Sequence, residues 1–138
     1  MPTTKEFGIR MNDRPGTLGE FTRALAERGV NILALQAAPQ EGKSLLRLIT
    51  DNPTATRAVL ASSRLSYAET DVAQVKLAHR PGELARAASR LGEASININY
   101  IYCGVEAGTN APLVIFGVTD AGKAASILDQ AATTAAGA

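Results

Sequence analysis

Two copies of one short string carry the residue types that could bind a small charged molecule. Arg14-Pro15-Gly16-x-Leu18 recurs 66 residues later as Arg80-Pro81-Gly82-x-Leu84. Glycine lets a ligand approach the backbone closely, and proline suits the first turn of a helix. The N–H groups and the dipole at a helix N-terminus favour a carboxylate. The string therefore predicts a pair of carboxylate-binding loops.

An asparagine follows each loop at the same spacing. Asn31 and Asn97 both come sixteen residues after the proline, and each amide offers a donor and an acceptor. Asp13 or backbone carbonyls could accept hydrogen bonds from the ammonium of a bound amino acid. A plainer interpretation stays open, because Pro-Gly also marks ordinary helix starts and asparagine tolerates the turn after a helix.

The sequence gives little support for a catalytic, metal-binding or phosphate-loop site. The chain has one histidine, His79, and one cysteine, Cys103, so one chain cannot build a histidine cluster or an internal disulfide. We interpret His79 as a loop residue without a catalytic partner and Cys103 as a small buried apolar residue. Residues 41–44 end like a phosphate-binding loop, but Ala37 stands where its first glycine is required. No catalytic residue, metal site or cofactor is predicted.

Composition narrows the function classes further. The chain has 138 residues, is 46% hydrophobic and carries a net charge of +1, which argues against dedicated binding to nucleic acid or to anionic membranes. Tyr100 and Tyr102 could stack RNA bases on a strand, but the basic-aromatic signature of such domains is absent. No apolar stretch approaches the roughly 18 residues that a membrane span needs. We expect a cytoplasmic protein.

An internal repeat organises the chain. Eight of the 23 positions from 14 to 36 are identical to those from 80 to 102 without a gap. Agreement that runs from a loop through a helix into a strand indicates duplication rather than a chance match. We expect one module at residues 1–69 and a second at residues 70–138.

Hydrophobic periodicity predicts the elements that position the loops. In each module an alternating strand (7–11 and 73–77) precedes the loop, and an amphipathic helix follows it. Two strands then form a hairpin (30–37 with 43–50, and 96–103 with 113–119) around turns at 39–42 and 104–112, and a second helix follows (53–63 and 121–132). Residues 66–70 form a fourth strand, whereas the alanine-rich C-terminal tail has no strand pattern and is expected to fray. The order βαββαβ predicts two α+β modules of ferredoxin-like type, with antiparallel sheets and helices on one face.

These strings together resemble the ACT domain. The first copy is Asp13 to Leu18 followed by residues 27–32, and the second is His79 to Leu84 followed by residues 95–98. The resemblance implies a free-standing pair of amino-acid-binding regulatory modules, in which the loop of one module acts with the second strand of its neighbour. It implies one site that combines residues 13–18 with Asn97 and Ile98, and another that combines residues 79–84 with Asn31 and Ile32. The expected ligand-binding residues are Asp13, Arg14, Pro15, Gly16, Thr17, Leu18, Asn31, Ile32, His79, Arg80, Pro81, Gly82, Glu83, Leu84, Asn97 and Ile98.

The sequence thus predicts a non-catalytic sensor that binds an amino acid or a close analogue. The resemblance and the exposed sheet edges lead us to expect a homodimer or a higher homo-oligomer, with a regulated metabolic enzyme as a further partner. The competing hypothesis is a structural or protein-interaction module of the same fold that binds no metabolite. An enzyme would have to assemble its reactive groups at a subunit interface.

Overall fold

The computed structural model describes the backbone of residues 3–137 and the side chains of residues 3–129. Strand–helix–strand–strand–helix occurs twice along the chain. The elements are β1 (Thr3–Asn12), α1 (Thr17–Glu27), β2 (Ile32–Gln40), β3 (Lys43–Thr50), α2 (Pro53–Ser62), β4 (Ser66–Lys76), α3 (Glu83–Glu93), β5 (Tyr100–Val105), β6 (Pro112–Gly117) and α4 (Ala121–Gly137).

The chain divides into two compact units. One unit is Lys5–Thr70, and the described part of the other is 71–137 together with Thr3 and Thr4. Strand β4 therefore ends the first unit with residues 66–70 and opens the second with residues 71–76. The second unit has no strand after β6 in its described residues. Its additional strand residues, Thr3 and Thr4, come instead from the beginning of the chain.

In the first unit, β3 lies between β1 and β2 and pairs antiparallel with both. The beginning of β4 approaches the other edge of β1, where the Phe7 and Tyr67 rings lie 5.9 Å apart. Alternation along the strands directs one set of apolar side chains to an inner face, as period-two patterning requires. Both helices pack on that face. The core contains Phe7, Ile9, Met11, Leu46 and Leu48 from the strands with Phe21, Leu25, Val59 and Leu60 from the helices.

The second unit repeats this arrangement. Strand β6 lies between β4 and β5 and pairs antiparallel with both. Helices α3 and α4 again pack on one face of the strands. The core contains Ala73, Val75, Val114 and Phe116 from the strands with Ala87, Leu91, Ala124, Ala125 and Leu128 from the helices.

Several strand boundaries differ from the predicted ones. The strand expected at 96–103 begins only at Tyr100. Ser95 has a left-handed conformation (φ 58°) just after α3, as the corresponding Gly29 has after α1 (φ 70°). The turn expected at 39–42 is shorter, since β2 continues to Gln40. Glu41 and Gly42 alone make the turn, with φ values of 51° and 81°. Two consecutive positive φ angles are the geometry of a tight two-residue hairpin.

One further expectation was wrong. Cys103 is exposed rather than buried, because on β5 it points away from the face that carries the buried Tyr102. The C-terminal tail, for which no strand was predicted, continues α4 to Gly137. Alanine is the best helix former, so the run of alanines favours continuing the helix once α4 has started.

Candidate functional site

The two predicted loops have the same backbone conformation. Gly16 and Gly82 precede α1 and α3 as their N-cap residues, each with φ 91° and with ψ of −17° and −15°. A positive φ of this size favours glycine over every residue with a β carbon. The repeated glycine is therefore a conformational requirement of the loop and not only a trace of sequence duplication.

Neither loop provides a side chain that caps its helix. In contrast, the Asn52 side chain accepts from the Ala55 N–H at the start of α2 (3.0 Å), and Asp120 accepts from the Lys123 N–H at the start of α4 (3.0 Å). At α1, the N–H groups of Leu18 and Gly19 have no acceptor among the described residues. Free N–H groups at a helix N-terminus are a receptor for an anionic oxygen.

A cavity of about 250 Å³ lies beside the first loop. This is far more than the roughly 30 Å³ that one water molecule occupies in the liquid. Two predicted site residues, Arg14 and Thr17, line it. The other lining residues are Met11, Asn12, Glu20, Phe21, Ser63 and Leu65.

Thr17 carries an unsatisfied hydroxyl in this position. Its Oγ1 atom is buried and has no hydrogen-bond partner among the described residues, although buried polar atoms normally have one. Arg14 beside it is only loosely held, since its Nη2 lies 3.9 Å from Glu20 Oε2 and both side chains are more than half exposed. The cavity is therefore lined by a guanidinium and by Thr17, whose hydroxyl has no partner, and the unpaired N–H groups of Leu18 and Gly19 follow directly along the chain.

The second loop differs at the position that corresponds to Thr17, where Glu83 stands. The Arg80 Nε donates to Glu83 Oε1 at 2.8 Å, and Arg86 Nη2 lies 3.8 Å from the same oxygen. The hydrogen bond from Arg80 lowers the pKa of the Glu83 carboxyl below its ordinary value, against the opposing effect of burial. The Glu83 carboxylate is therefore already hydrogen-bonded to Arg80, the arginine of this loop.

The remaining loop residues are open to solvent. Asp13, Pro15, His79 and Pro81 are all exposed. Leu18 and Leu84 are 40% and 45% exposed. They present apolar surface beside each loop.

The asparagines lie just before the strands and not on them. The Asn31 N–H donates to Asp51 Oδ1 at 2.9 Å, while the Asp51 N–H donates to the Asn31 carbonyl. Asn97 Nδ2 donates to Asn99 Oδ1 at 3.1 Å. Both asparagines are exposed, whereas Ile32 and Ile98 are half-buried.

Within one unit, the loop and the asparagine lie far apart. Each stands at an opposite end of a helix of 11 residues, which is about 16 Å long at 1.5 Å per residue. One small ligand cannot touch both. The expected combination of a loop with the asparagine of a different module stays a prediction.

The described residues contain no group of three or more histidine, cysteine, aspartate or glutamate side chains that could hold a metal ion. Sequence reasoning missed Phe21, Ser63 and Leu65 as lining of the cavity. The only available signal was their apolar or small character, because they come from helix α1 and from the turn between α2 and β4, which are distant in sequence. In residues 3–137, no helix has the length and apolar character that a bilayer crossing requires.

A family model for a pair of ACT domains matches residues 2–132 of the chain. The chain belongs to the ACT domain family. This confirms the resemblance carried by the two loop strings, and the two βαββα units with antiparallel strands are its ACT modules. No curated protein sequence matches the chain.

Solved structures share this ACT pair. Protein BT0572 from Bacteroides thetaiotaomicron is 26% identical, with a TM-score of 0.80 over 93% of this chain and 88% of that one. The regulatory subunit of aspartate kinase from Thermus thermophilus, in its ligand-free form, is 20% identical, with a TM-score of 0.61 over 94% and 92% of the two chains. The corresponding subunit from Thermus flavus is 22% identical, with a TM-score of 0.57 over 95% and 93%. At these identities the two kinase subunits show a shared fold.

Proposed function

We propose that this ACT pair is a non-catalytic regulatory protein whose first loop binds the carboxylate of an amino acid or a close analogue. The unsatisfied Thr17 hydroxyl beside the uncapped N-terminus of α1 carries the proposal. A bound carboxylate would accept from the N–H groups of Leu18 and Gly19 and from the Thr17 hydroxyl. It would thereby supply the partners that these groups lack in the free protein.

The surrounding residues suit the rest of such a ligand. Arg14 adds a positive charge to the carboxylate end of the cavity, and its exposed ion pair with Glu20 costs little to open. Asp13 is exposed at the start of the loop and can approach an ammonium group. Leu18 offers apolar surface for the carbon side chain. We further propose that the exposed amide of Asn97, or of the same residue in a second copy, completes this site, with Ile98 beside it.

The second loop is proposed as the weaker site. Residues 79–84 would act with Asn31 and Ile32 in the corresponding way. However, Arg80 already holds Glu83, so an incoming carboxylate must displace a carboxylate or bind without the arginine. In the first loop the competing carboxylate is Glu20, whose ion pair with Arg14 is longer, at 3.9 Å, and exposed.

The regulatory role is proposed from the names of solved structures that share the fold. Some of the solved structures that share the fold are named as regulatory subunits of aspartate kinase. We propose that ligand binding stabilises one arrangement of the modules and changes the activity of a metabolic enzyme, which requires different affinities for the two states. Self-association into a homodimer or higher homo-oligomer and a cytoplasmic location belong to the same proposal. Light scattering measures the subunit count.

Thermal unfolding in the presence of each of the twenty amino acids at millimolar concentration tests the proposal. A ligand at 100 times its dissociation constant stabilises the folded state by about 2.7 kcal/mol. If no amino acid shifts the midpoint of the folded protein, the chain is an interaction module that binds no such metabolite.

Two separate threonine-to-valine variants test where the ligand binds. Thr17→Val removes an unsatisfied buried hydroxyl, so we expect the free protein to gain about 1 kcal/mol while its affinity for the ligand falls about tenfold. Thr22→Val is the matched control, because the Thr22 hydroxyl already donates to the Leu18 carbonyl at 2.9 Å. It should leave the affinity unchanged. Equal affinity in the wild type and Thr17→Val would place the ligand elsewhere.

A further inference from the structure

A second cavity, of about 340 Å³, lies in the first unit at the end of β1. Three cationic side chains line it: Arg10, Lys43 and Arg64. Asn12 and Ser66 add polar groups, and none of its lining residues is acidic. A cavity with several positive charges and no negative one is a receptor for an anion.

The sheet register explains how these charges meet. Asn12 lies opposite Lys43 across the β1–β3 pair, and Arg10 lies opposite Leu45. Arg10 and Lys43 are therefore diagonal neighbours on the outer face, within about 7–8 Å of each other. Arg64 arrives from the other side of β1, where the chain leaves α2 and enters β4. The cations flank the end of one strand on both sides.

Two of the three charges are not neutralised by the chain. Arg10 Nη2 donates to Gln40 Oε1 at 3.0 Å and to Glu41 Oε2 at 3.4 Å, but the Glu41 side chain is 84% exposed, so this ion pair is weak. Lys43 and Arg64 make no ion pair with any residue the structure describes. In the second unit, the residue that corresponds to Arg10 is Lys76, and Lys76 pairs with Glu106 at 3.5 Å.

Arg64 occupies a backbone position that favours glycine. Its φ is 55°, and the bonds from its N–H to Ala61 and from the Leu65 N–H to Leu60 close the end of α2. This is the left-handed residue of a Schellman turn. Gly29 holds the same position after α1, with φ 70°. An arginine there places a guanidinium at the cavity at the expense of backbone strain.

We propose that this cavity binds a small oxyanion with two or more negative charges, of the phosphate and phosphate-monoester class. A guanidinium matches two oxygens of such an anion in a bidentate pair, and an ammonium binds it as a point charge. The cavity shares Met11, Asn12 and Leu65 with the one beside the first loop. The two cavities therefore adjoin, but the three cations Arg10, Lys43 and Arg64 line only the second one.

Titration of the wild-type protein with inorganic phosphate, and separately with glycerol 2-phosphate, tests the proposal. Sodium chloride at equal ionic strength is the reference, and amide chemical shifts locate the response. We expect saturable shifts centred on Lys43 and Arg64 with at least one of the two probes. A saturable response to either probe supports the proposal. The affinities for the two probes show whether free phosphate or the monoester is the better ligand. No saturable response to either probe, or an equal response to chloride, would overturn it.

The variant Arg64→Gly distinguishes a loss of anion affinity from a loss of folding stability. Glycine relieves the strain at φ 55°, so this variant should unfold at a higher temperature than the wild type while its affinity for the anion falls at least tenfold. Lys43→Gln should lose affinity similarly. Arg23→Gln is the matched control, since Arg23 is exposed on α1 of the same unit and outside the cavity. Equal affinity in Arg64→Gly and the wild type refutes the site, whatever the amino-acid titrations give.

Discussion

Two glycine-to-alanine substitutions three residues apart should have opposite effects on stability. Gly16 has φ +91°, and a β carbon built on it meets nothing within 4 Å. Gly19 lies inside α1, and a β carbon there also meets nothing within 4 Å. Because neither substitution creates a contact or a clash, the backbone conformation alone decides the sign.

The magnitudes follow from that difference. An alanine forced into the left-handed region costs about 1–2 kcal/mol, so Gly16→Ala should lower the free energy of unfolding by that amount. Alanine in a helix interior is favoured over glycine by about 0.5–1 kcal/mol, so Gly19→Ala should raise it. At about 4 °C per kcal/mol for a chain of this length, the two unfolding midpoints should lie about 6–12 °C apart.

Urea denaturation and differential scanning calorimetry without ligand measure both variants. Equal m-values would show that the two variants expose similar surface on unfolding, so that the difference reflects the native state. If Gly16→Ala proves neutral or stabilising, the loop does not hold the positive φ on which the site depends. The same substitution at Gly82 repeats the test in the second unit, where Gly92 in α3 is the matched control.

Further predictions concern a helix cap and a carboxylate. Asn52→Ala should destabilise the protein by about 1 kcal/mol, because it removes the acceptor of the Ala55 N–H at the start of α2; Asn52→Asp keeps the acceptor and should be nearly neutral by urea denaturation. The Glu83 carboxyl should titrate below the ordinary value of 4.5 in carbon-detected NMR, since Arg80 holds its charged form. Because the pKa of Glu83 is lower in the folded state than in the unfolded state, its interaction with Arg80 stabilises the protein fully above pH 4.5. This stabilisation is lost as the pH falls through the pKa of the folded state. Glu83→Gln should therefore show a shallower loss of stability on acidification, and a carboxyl that titrates at or above its ordinary value would contradict the pairing.

The sequence predicts the loops well because their determinants are local. A glycine at positive φ, a proline before it and apolar residues three and four apart act within one turn of chain. The strand that precedes each loop shows equally clear alternation. These features recur in both copies, so each copy supports the interpretation of the other.

Features that depend on several elements were harder to predict. The cavity beside Thr17 is also lined by Ser63 and Leu65 from the turn between α2 and β4, which no spacing places beside α1. Glu83, one of the expected ligand-binding residues, is only 6% exposed and accepts a hydrogen bond from Arg80. Its spacing of three residues from Arg80 was the available signal. The hydrophobic pattern also placed the start of β5 at residue 96, four residues before Tyr100, where the strand begins.

The two loops illustrate how a duplicated backbone can carry different chemistry. The glycines impose one conformation on both, and that conformation exposes the N–H groups of each helix. The residue that follows each glycine then determines which polar side chain stands beside those N–H groups. At α1 it is Thr17, whose hydroxyl needs a partner. At α3 it is Glu83, whose carboxylate binds the arginine of its own loop. An anion that approaches α3 meets a buried carboxylate already hydrogen-bonded to Arg80, whereas one that approaches α1 meets the exposed Glu20, which lies 3.9 Å from Arg14. One side chain per module therefore gives different polar chemistry to a backbone conformation that both loops share.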